Sequence, residues 1–227
     1  MRPPGSNFQG CIRPEPMCRL LFARSENDFR LSSLLEPFAR VAHTSPEYQG
    51  HGWGCSWREG DQWRHYHNIQ PIWEDDLSQF DNTSLLLAHA RSAFRDEGIV
   101  IENNMPFSDG ESVFIFNGEL RGVRIKSEGR IGAEKIYNYI RRFDRGDKIA
   151  ALDKGTGIIA RRSAFVRAMN IILCDGKHTW LSTRYSENPD YFQMHGKQHG
   201  DLTLVCSQPF ENDSGWTPID NNSTLAL

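Results

Sequence analysis

The sequence has no long hydrophobic run, no strong excess of either charge and no regular cysteine framework. No apolar stretch approaches the roughly 18 residues that span a bilayer, so we expect no membrane partner. Lysine and arginine total 26 against 29 acidic residues, and the net charge of −3 gives no electrostatic footprint for nucleic acid. The 5 cysteines are odd in number and irregularly spaced. This argues against disulfides and predicts a reducing, cytoplasmic setting.

The start of the chain also lacks the marks of a packed or exported segment. Residues 1–16 contain four prolines and no continuous apolar run. They therefore do not resemble a secretory signal, and they predict a disordered arm, a removable leader or an over-extended start. The remaining length is enough for one large domain or two small ones with a substantial core.

What is present is an alternation of short apolar segments with two central helical segments. Helical spacing predicts helices at 31–41, 133–143 and 147–163, the last interrupted near Gly155 and Gly157. Strands are predicted at 19–24, 53–58, 62–67, 84–90, 112–116, 166–174, 178–185 and 202–207. By itself, Asn117-Gly118 after the 112–116 strand predicts a hairpin turn. This order of strands, helices and strands predicts an α+β sandwich with helices on the outer faces of the sheets.

One histidine-rich region invites a metal interpretation. His51, Cys55, His65 and His67 lie close together in the sequence. Their spacing matches no metal signature, and they alternate with bulky aromatic residues. We therefore predict no metal site.

Cys18 is the main candidate for chemistry, because it heads the first predicted strand directly behind Met17. In a chain that begins at Cys18, one residue carries a thiol with a pKa of about 8.5 and an amine with a pKa of about 7.7–8.0. Such an amine suits general-base work on its own side chain. The plainer interpretation is a buried cysteine early in a strand.

Six short markers follow one another along the chain. They are Met17-Cys18-Arg19-Leu20-Leu21, Gly52-Trp53-Gly54, His89-Ala90-Arg91, Asn104-Met105-Pro106-Phe107, Asn117-Gly118 and Ser207-Gln208-Pro209-Phe210. In this order they resemble the class-II glutamine amidotransferases, which are N-terminal-nucleophile hydrolases. The chain is most similar to their short, single-domain branch of stand-alone amidotransferases and the γ-glutamyl hydrolase of ergothioneine biosynthesis.

The resemblance implies a fold, a domain organisation and a reaction. The fold is a four-layer αββα sandwich of two antiparallel sheets, formed by residues 18–227, with residues 1–17 removed or disordered. The reaction is cleavage of the γ-glutamyl amide of glutamine or of a γ-glutamyl conjugate through a thioester, without a cofactor.

Residue roles also come from the resemblance. Cys18 matches the nucleophile, Asn117 and Gly118 match the oxyanion-hole donors, and Arg91 matches the arginine that binds the substrate α-carboxylate. A planar fork of donors suits that carboxylate. Further substrate contacts are expected at Gly52, Trp53, His89, Phe107 and Glu134.

Two departures from the family pattern bear on the substrate and on the amine. The family usually has an Asp two residues before a Glu at the start of the central helix, where it binds the substrate α-amine, but this chain has Gly132-Ala133-Glu134. Glu128 or Glu134 could substitute, or the amine end of the substrate could be modified, and the missing Asp argues against free glutamine as the substrate. The extension before Cys18 would block the amine if retained. The sequence shows no synthase domain, so we expect any ammonia acceptor to be a separate subunit.

Two alternatives remain open from the sequence. A catalytically silent relative could serve as a binding or regulatory subunit, in line with the missing Asp and the blocked amine. A cysteine hydrolase could instead use a separate histidine base, for which His89 is the obvious candidate.

Overall fold

The computed structural model describes residues 17–93 and 97–227. In this part of the chain the helices are α1 (Leu31–His43), α2 (Gly132–Arg141), α3 (Lys148–Arg161) and α4 (Pro189–Phe192). The strands are β1 (Arg19–Arg30), β2 (Trp53–Glu59), β3 (Gln62–Asn68), β4 (Asn82–Ala90), β5 (Phe107–Ser108), β6 (Val113–Arg121), β7 (Phe165–Cys174), β8 (Thr179–Ser182), β9 (His195–His199), β10 (Leu202–Cys206), β11 (Thr217–Pro218) and β12 (Thr224–Ala226). No helix within the described ranges is long and apolar enough to cross a membrane.

The described strands form two antiparallel sheets. The first has seven strands in the order β11, β9, β10, β1, β4, β2, β3, so β1 lies in its centre. The second has five strands in the order β12, β8, β7, β6, β5. Residues 1–16, for which the sequence predicts a disordered arm, a removable leader or an over-extended start, lie outside the described part of the chain.

The central strands are buried on both faces because their apolar side chains alternate between two cores. Leu20 and Phe22 of β1 face the second sheet, whereas Leu21 and Ala23 face α1. The same alternation holds in β4, where Leu85 and Leu87 face the second sheet and their neighbours face the helix. Continuous apolar runs in the sequence therefore mark strands covered on both sides.

Helices cover the outer face of each sheet. The predicted apolar positions of α1 are buried against the first sheet. On the other side, α2 and α3 pack on the second sheet, and the Tyr137 ring stacks on Phe114 at 4.8 Å between centroids. The predicted four-layer α+β sandwich is confirmed.

Three details differ from the sequence-based expectation. β1 continues to Arg30, with a shift of register between Arg24 and Phe29. Asn117-Gly118 does not form a hairpin turn, because β6 runs through it in continuous pairing with β7. Helix α3 is not interrupted at Gly155, where a Cβ would lie 2.8 Å from Ile140 Cγ1, so the glycine permits close packing on α2.

The contact between α2 and the second sheet gives a stability prediction. Phe114→Ala should lower the free energy of unfolding by about 3–5 kcal/mol, because it leaves a cavity beneath α2. Val123→Ala, at a side chain that is 37% exposed, should change it by less than about 0.5 kcal/mol. Urea unfolding of both variants is the measurement. Equal losses would contradict the assigned packing.

Candidate active site

Cys18 lies immediately before β1 and remains partly exposed. Its Sγ donates a hydrogen bond to the Ser92 carbonyl oxygen at 3.7 Å. Burial raises the pKa of the Cys18 thiol to about 11, although the positive charges of Arg91 and Arg19 oppose the rise. With residue 17 attached, the thiol is therefore protonated near neutral pH and needs a base before it can act as a nucleophile.

Arg91 follows directly after β4, the strand that pairs with β1. Its side chain is buried, and its backbone N–H donates to the Gly52 carbonyl oxygen at 2.9 Å. The guanidinium Nη1 donates to Asn104 Oδ1 at 3.4 Å. Burial lowers the pKa of Arg91, while the thiol of Cys18 acts in the opposite direction. The structure thus brings Arg91 into electrostatic contact with the candidate nucleophile.

Gly52 makes room for the amide that contacts Arg91. Its φ is +104°, and a Cβ there would lie 2.2 Å from Asn104 Nδ2 and 2.7 Å from the Asn68 carbonyl oxygen. Asn104 Nδ2 donates to that same carbonyl at 2.8 Å. A side chain at position 52 would therefore displace Asn104, whose Oδ1 is the hydrogen-bond partner of the Arg91 guanidinium.

The expected role of Trp53 needs correction. Strand alternation turns its side chain toward α1, on the face opposite to His89. There it is fully buried, contacts the Tyr66 and Phe80 rings, and donates from Nε1 to Asp75 Oδ2 at 2.9 Å. Trp53 is part of the outer core, so its side chain does not line the space between the sheets.

Asn117 and Gly118 lie in the middle of β6. Asn117 is fully buried, and neither its Oδ1 nor its Nδ2 has a hydrogen-bond partner among the described residues. A Cβ on Gly118 would lie 2.2 Å from the Ala168 carbonyl oxygen, so the strand pairing tolerates only glycine there. Met17, which is bonded to Cys18, packs against Ala168. The start of β1 and the Asn117-Gly118 pair therefore meet at the same part of β7.

His89 also faces the space between the sheets. The side chain is fully buried. Burial lowers the pKa of His89 to about 3 and the charge of Arg91 lowers it as well, although a hydrogen bond to the Phe116 backbone acts to raise it. The imidazole is therefore neutral and weakly basic near pH 7, which disfavours the histidine-base interpretation.

Phe107 and Glu134 lie apart from Cys18, in a cavity of about 510 Å³ whose lining includes Asn104 but not Cys18. Glu134 Oε1 lies 2.6 Å from Arg130 Nη2, and this hydrogen-bonded pair lowers the pKa of the Glu134 carboxyl. Arg130 is also 5.7 Å above the Phe107 ring. Asn104 thus lies between this cavity and Arg91, and the charge of Glu134 is already paired.

Sequence reasoning missed two residues that hold the peptide group before Cys18. Tyr191 Oη donates to the Met17 carbonyl oxygen at 2.8 Å, and Gln49 Nε2 donates to the same oxygen. Gln49 is fully buried, and its Oε1 has no partner among the described residues. Gln49 directly precedes a segment with three glycines in five residues (50–54), and this position is a signal that the sequence offered. No local signal marks Tyr191, which lies far from Cys18 in the sequence.

The histidine-rich region does not form a ligand set in the described residues. His51 Nδ1 accepts from the Ala93 backbone N–H at 2.8 Å, and His65 Nδ1 is 2.7 Å from Ser56 Oγ. His67 Nε2 contacts the Pro106 carbonyl oxygen, and Cys55 faces α1. Each side chain thus has its own partners or core position.

Several solved structures are similar to this fold. A glutamine aminotransferase class-II domain protein from Silicibacter pomeroyi matches with a TM-score of 0.65 at 14% identity, over 92% of this chain and 94% of the other. A predicted glutamine amidotransferase from Pseudomonas aeruginosa matches with a TM-score of 0.51 at 16% identity, over 94% and 96%.

A glutamine phosphoribosylpyrophosphate amidotransferase from Bacillus subtilis, complexed with ADP and GMP, matches with a TM-score of 0.60 at 14% identity. The match covers 91% of this chain and 49% of that longer protein. The chain has the class-II glutamine amidotransferase fold. No family model and no curated protein matches the sequence. At these identities the similarity is one of fold, and the residue assignments depend on the site itself.

The buried thiol gives a pH prediction. In the chain that retains residues 1–17, alkylation of Cys18 by iodoacetamide should be slow at pH 7. Because only the thiolate reacts, the rate should rise about tenfold per pH unit up to the thiol pKa of about 11. Peptide-level mass spectrometry measures the labelling. A rate that levels off near pH 8 would show a thiol already activated with residue 17 present.

Proposed function

We propose that the protein is an amidohydrolase that cleaves the γ-glutamyl amide of glutamine or of a γ-glutamyl conjugate, using Cys18 as the N-terminal residue of the active chain. The observation that supports this proposal is that Arg91 acts electrostatically on the Cys18 thiol, while Met17, the neighbour of Cys18, and Gly118 both approach Ala168 in a chain with the class-II amidotransferase fold. A buried guanidinium, a thiol and unpartnered amide atoms suit acyl transfer from a carboxylate-bearing substrate.

The reaction begins with transfer of the thiol proton to the free α-amine of Cys18. Sγ attacks the γ-carbonyl carbon, and the resulting oxyanion accepts hydrogen bonds from Asn117 Nδ2 and the Gly118 backbone N–H. The C–N bond then breaks, and the α-ammonium returns its proton to the leaving nitrogen. Water hydrolyses the thioester to release glutamate and restore the thiol.

Electrostatics around Cys18 support the amine as the base. Arg91 and Arg19 both oppose the rise of the thiol pKa. The same positive charges disfavour the protonated form of a neighbouring α-amine, which keeps it available as a base near neutral pH. A peptide-bonded Cys18 nitrogen has no basic lone pair, so the proposal requires a chain that begins at this residue.

The central test compares chain starts. A chain produced from Met17, from which the methionine is removed, should hydrolyse L-glutamine or L-γ-glutamyl-p-nitroanilide, whereas the chain with residues 1–17 retained should be inactive. Intact mass spectrometry establishes the first residue of each chain, and glutamate release measures turnover.

Cys18→Ser should nearly abolish activity, because a serine hydroxyl is far harder to ionise than a thiol.

Cys174→Ser is the matched control, since Cys174 is buried away from the site and accepts from Thr179 Oγ1 at 3.1 Å, a contact that serine preserves. Full activity of the chain with residues 1–17 intact would overturn the N-terminal base and favour a separate base. If neither the chain that begins at Cys18 nor the chain with residues 1–17 is active, the catalytically silent alternative is favoured.

A second prediction tests the oxyanion role. Asn117→Ala should lower kcat by roughly 10²-fold with little change in KM, because the donor acts mainly in the transition state. The Asn117 side-chain amide has no partner among the described residues, so the substitution removes no hydrogen bond. The free energy of unfolding of the variant should therefore not be lowered on that account. A raised KM with unchanged kcat would instead make Asn117 a substrate-binding residue.

A further inference from the structure

Met17 occupies a defined apolar pocket directly beside the candidate nucleophile. Its side chain is 2% exposed and packs against Ala168 and Phe192, with Tyr185 and Tyr191 at the edge. We call these four residues the Met17 pocket. It is a cluster separate from the two large cores on either side of the first sheet.

The peptide group between this pocket and Cys18 is also held in place. Tyr191 Oη and Gln49 Nε2 both donate to the Met17 carbonyl oxygen. Tyr191 is itself fixed, because the Arg19 guanidinium lies 3.9 Å above its ring. The pocket wall is thus supported by contacts other than those with Met17.

The mechanism places the leaving group next to this pocket. The amine that returns the proton must lie within about 2.6–3.2 Å of the leaving nitrogen. That amine is the Cys18 nitrogen, to which the Met17 carbonyl carbon is bonded. In a chain that begins at Cys18, the space taken by Met17 is therefore adjacent to the leaving nitrogen and to whatever group it carries.

We propose that the Met17 pocket binds the substituent of the leaving amine, so that the substrates are γ-glutamyl amides of apolar amines about the size of a methionine side chain. This inference rests on the proposed function and deepens it. Ammonia, the leaving group of glutamine, fills none of the pocket. The apolar and aromatic lining favours alkyl or aryl substituents over charged ones.

The paired charge of Glu134 concerns the other end of the substrate. Because Arg130 already neutralises this carboxylate, it offers little to the α-ammonium, which glutamine and the γ-glutamyl alkylamides share. Binding energy from the Met17 pocket offsets that loss only for a substrate with an apolar leaving group. The leaving-group end of the site is therefore the end that favours a conjugate over glutamine.

The test is a series of L-γ-glutamyl alkylamides measured on the chain that begins at Cys18. Each CH₂ buried in the pocket should raise kcat/KM by roughly fourfold, so the n-butylamide should exceed the ethylamide by about tenfold or more. The n-propylamide and the 2-hydroxyethylamide have equal numbers of heavy atoms, and the propylamide should be the better substrate. A flat series, or preference for the hydroxyethylamide, would overturn the inference.

A variant locates the preference in the pocket. Phe192→Ala should reduce the butylamide-to-ethylamide ratio of kcat/KM at least threefold, whereas Phe165→Ala, at a partly buried residue outside the pocket, should leave the ratio unchanged. If the alanine variant does not fold, Phe192→Leu replaces it in the same measurement of the ratio. An unaltered ratio in a folded Phe192 variant would overturn the assignment.

The two proposals fail in different ways. If the Cys18 chain hydrolyses no γ-glutamyl amide, the proposed function is wrong. If it hydrolyses glutamine and shows a flat alkylamide series, only the role of the Met17 pocket is wrong.

Discussion

The structure depends on the pairing of β1 with a strand on each side. Arg19 lies opposite Ala90 of β4, and Leu21 lies opposite Cys206 of β10. A slip by one residue would turn Leu20 and Phe22 away from the second sheet, so the apolar alternation sets the register. This register places Cys18, just before the strand, beside the residues that follow Ala90. The position of the candidate nucleophile is therefore a consequence of core packing.

Several groups near the start of β1 and between the sheets are costly to bury. Arg19 and Arg91 are buried cations, and the side-chain amide of Asn117 has no partner among the described residues. Buried polar atoms are usually hydrogen-bonded, and each exception needs an explanation. The proposed function provides one, since it requires donors for a developing oxyanion and a cation for a carboxylate. The extensive apolar burial of the central strands offsets the cost.

Much of the architecture could be predicted from local patterns. The apolar spacing of α1 and the continuous apolar run of β4 depend only on which faces are covered, and both patterns are visible in the sequence. The order of the elements was enough for the layer arrangement. The boundaries of the elements could not be predicted from local patterns, as the extension of β1 to Arg30 shows, because bulges and edge pairings depend on partner strands.

The sequence by itself determined the candidate nucleophile at Cys18 and the cation at Arg91, whereas the need for glycine at positions 52 and 118 follows from close contacts that only the tertiary structure creates. It could not decide which face Trp53 presents, because strand alternation has meaning only once the register is known. Asn117-Gly118 resembles a turn locally and becomes mid-strand only through pairing with β7. Tyr191 donates to the Met17 carbonyl oxygen although the two residues are 174 positions apart in the sequence. Such contacts leave no local signal, since they form only when distant segments pack together.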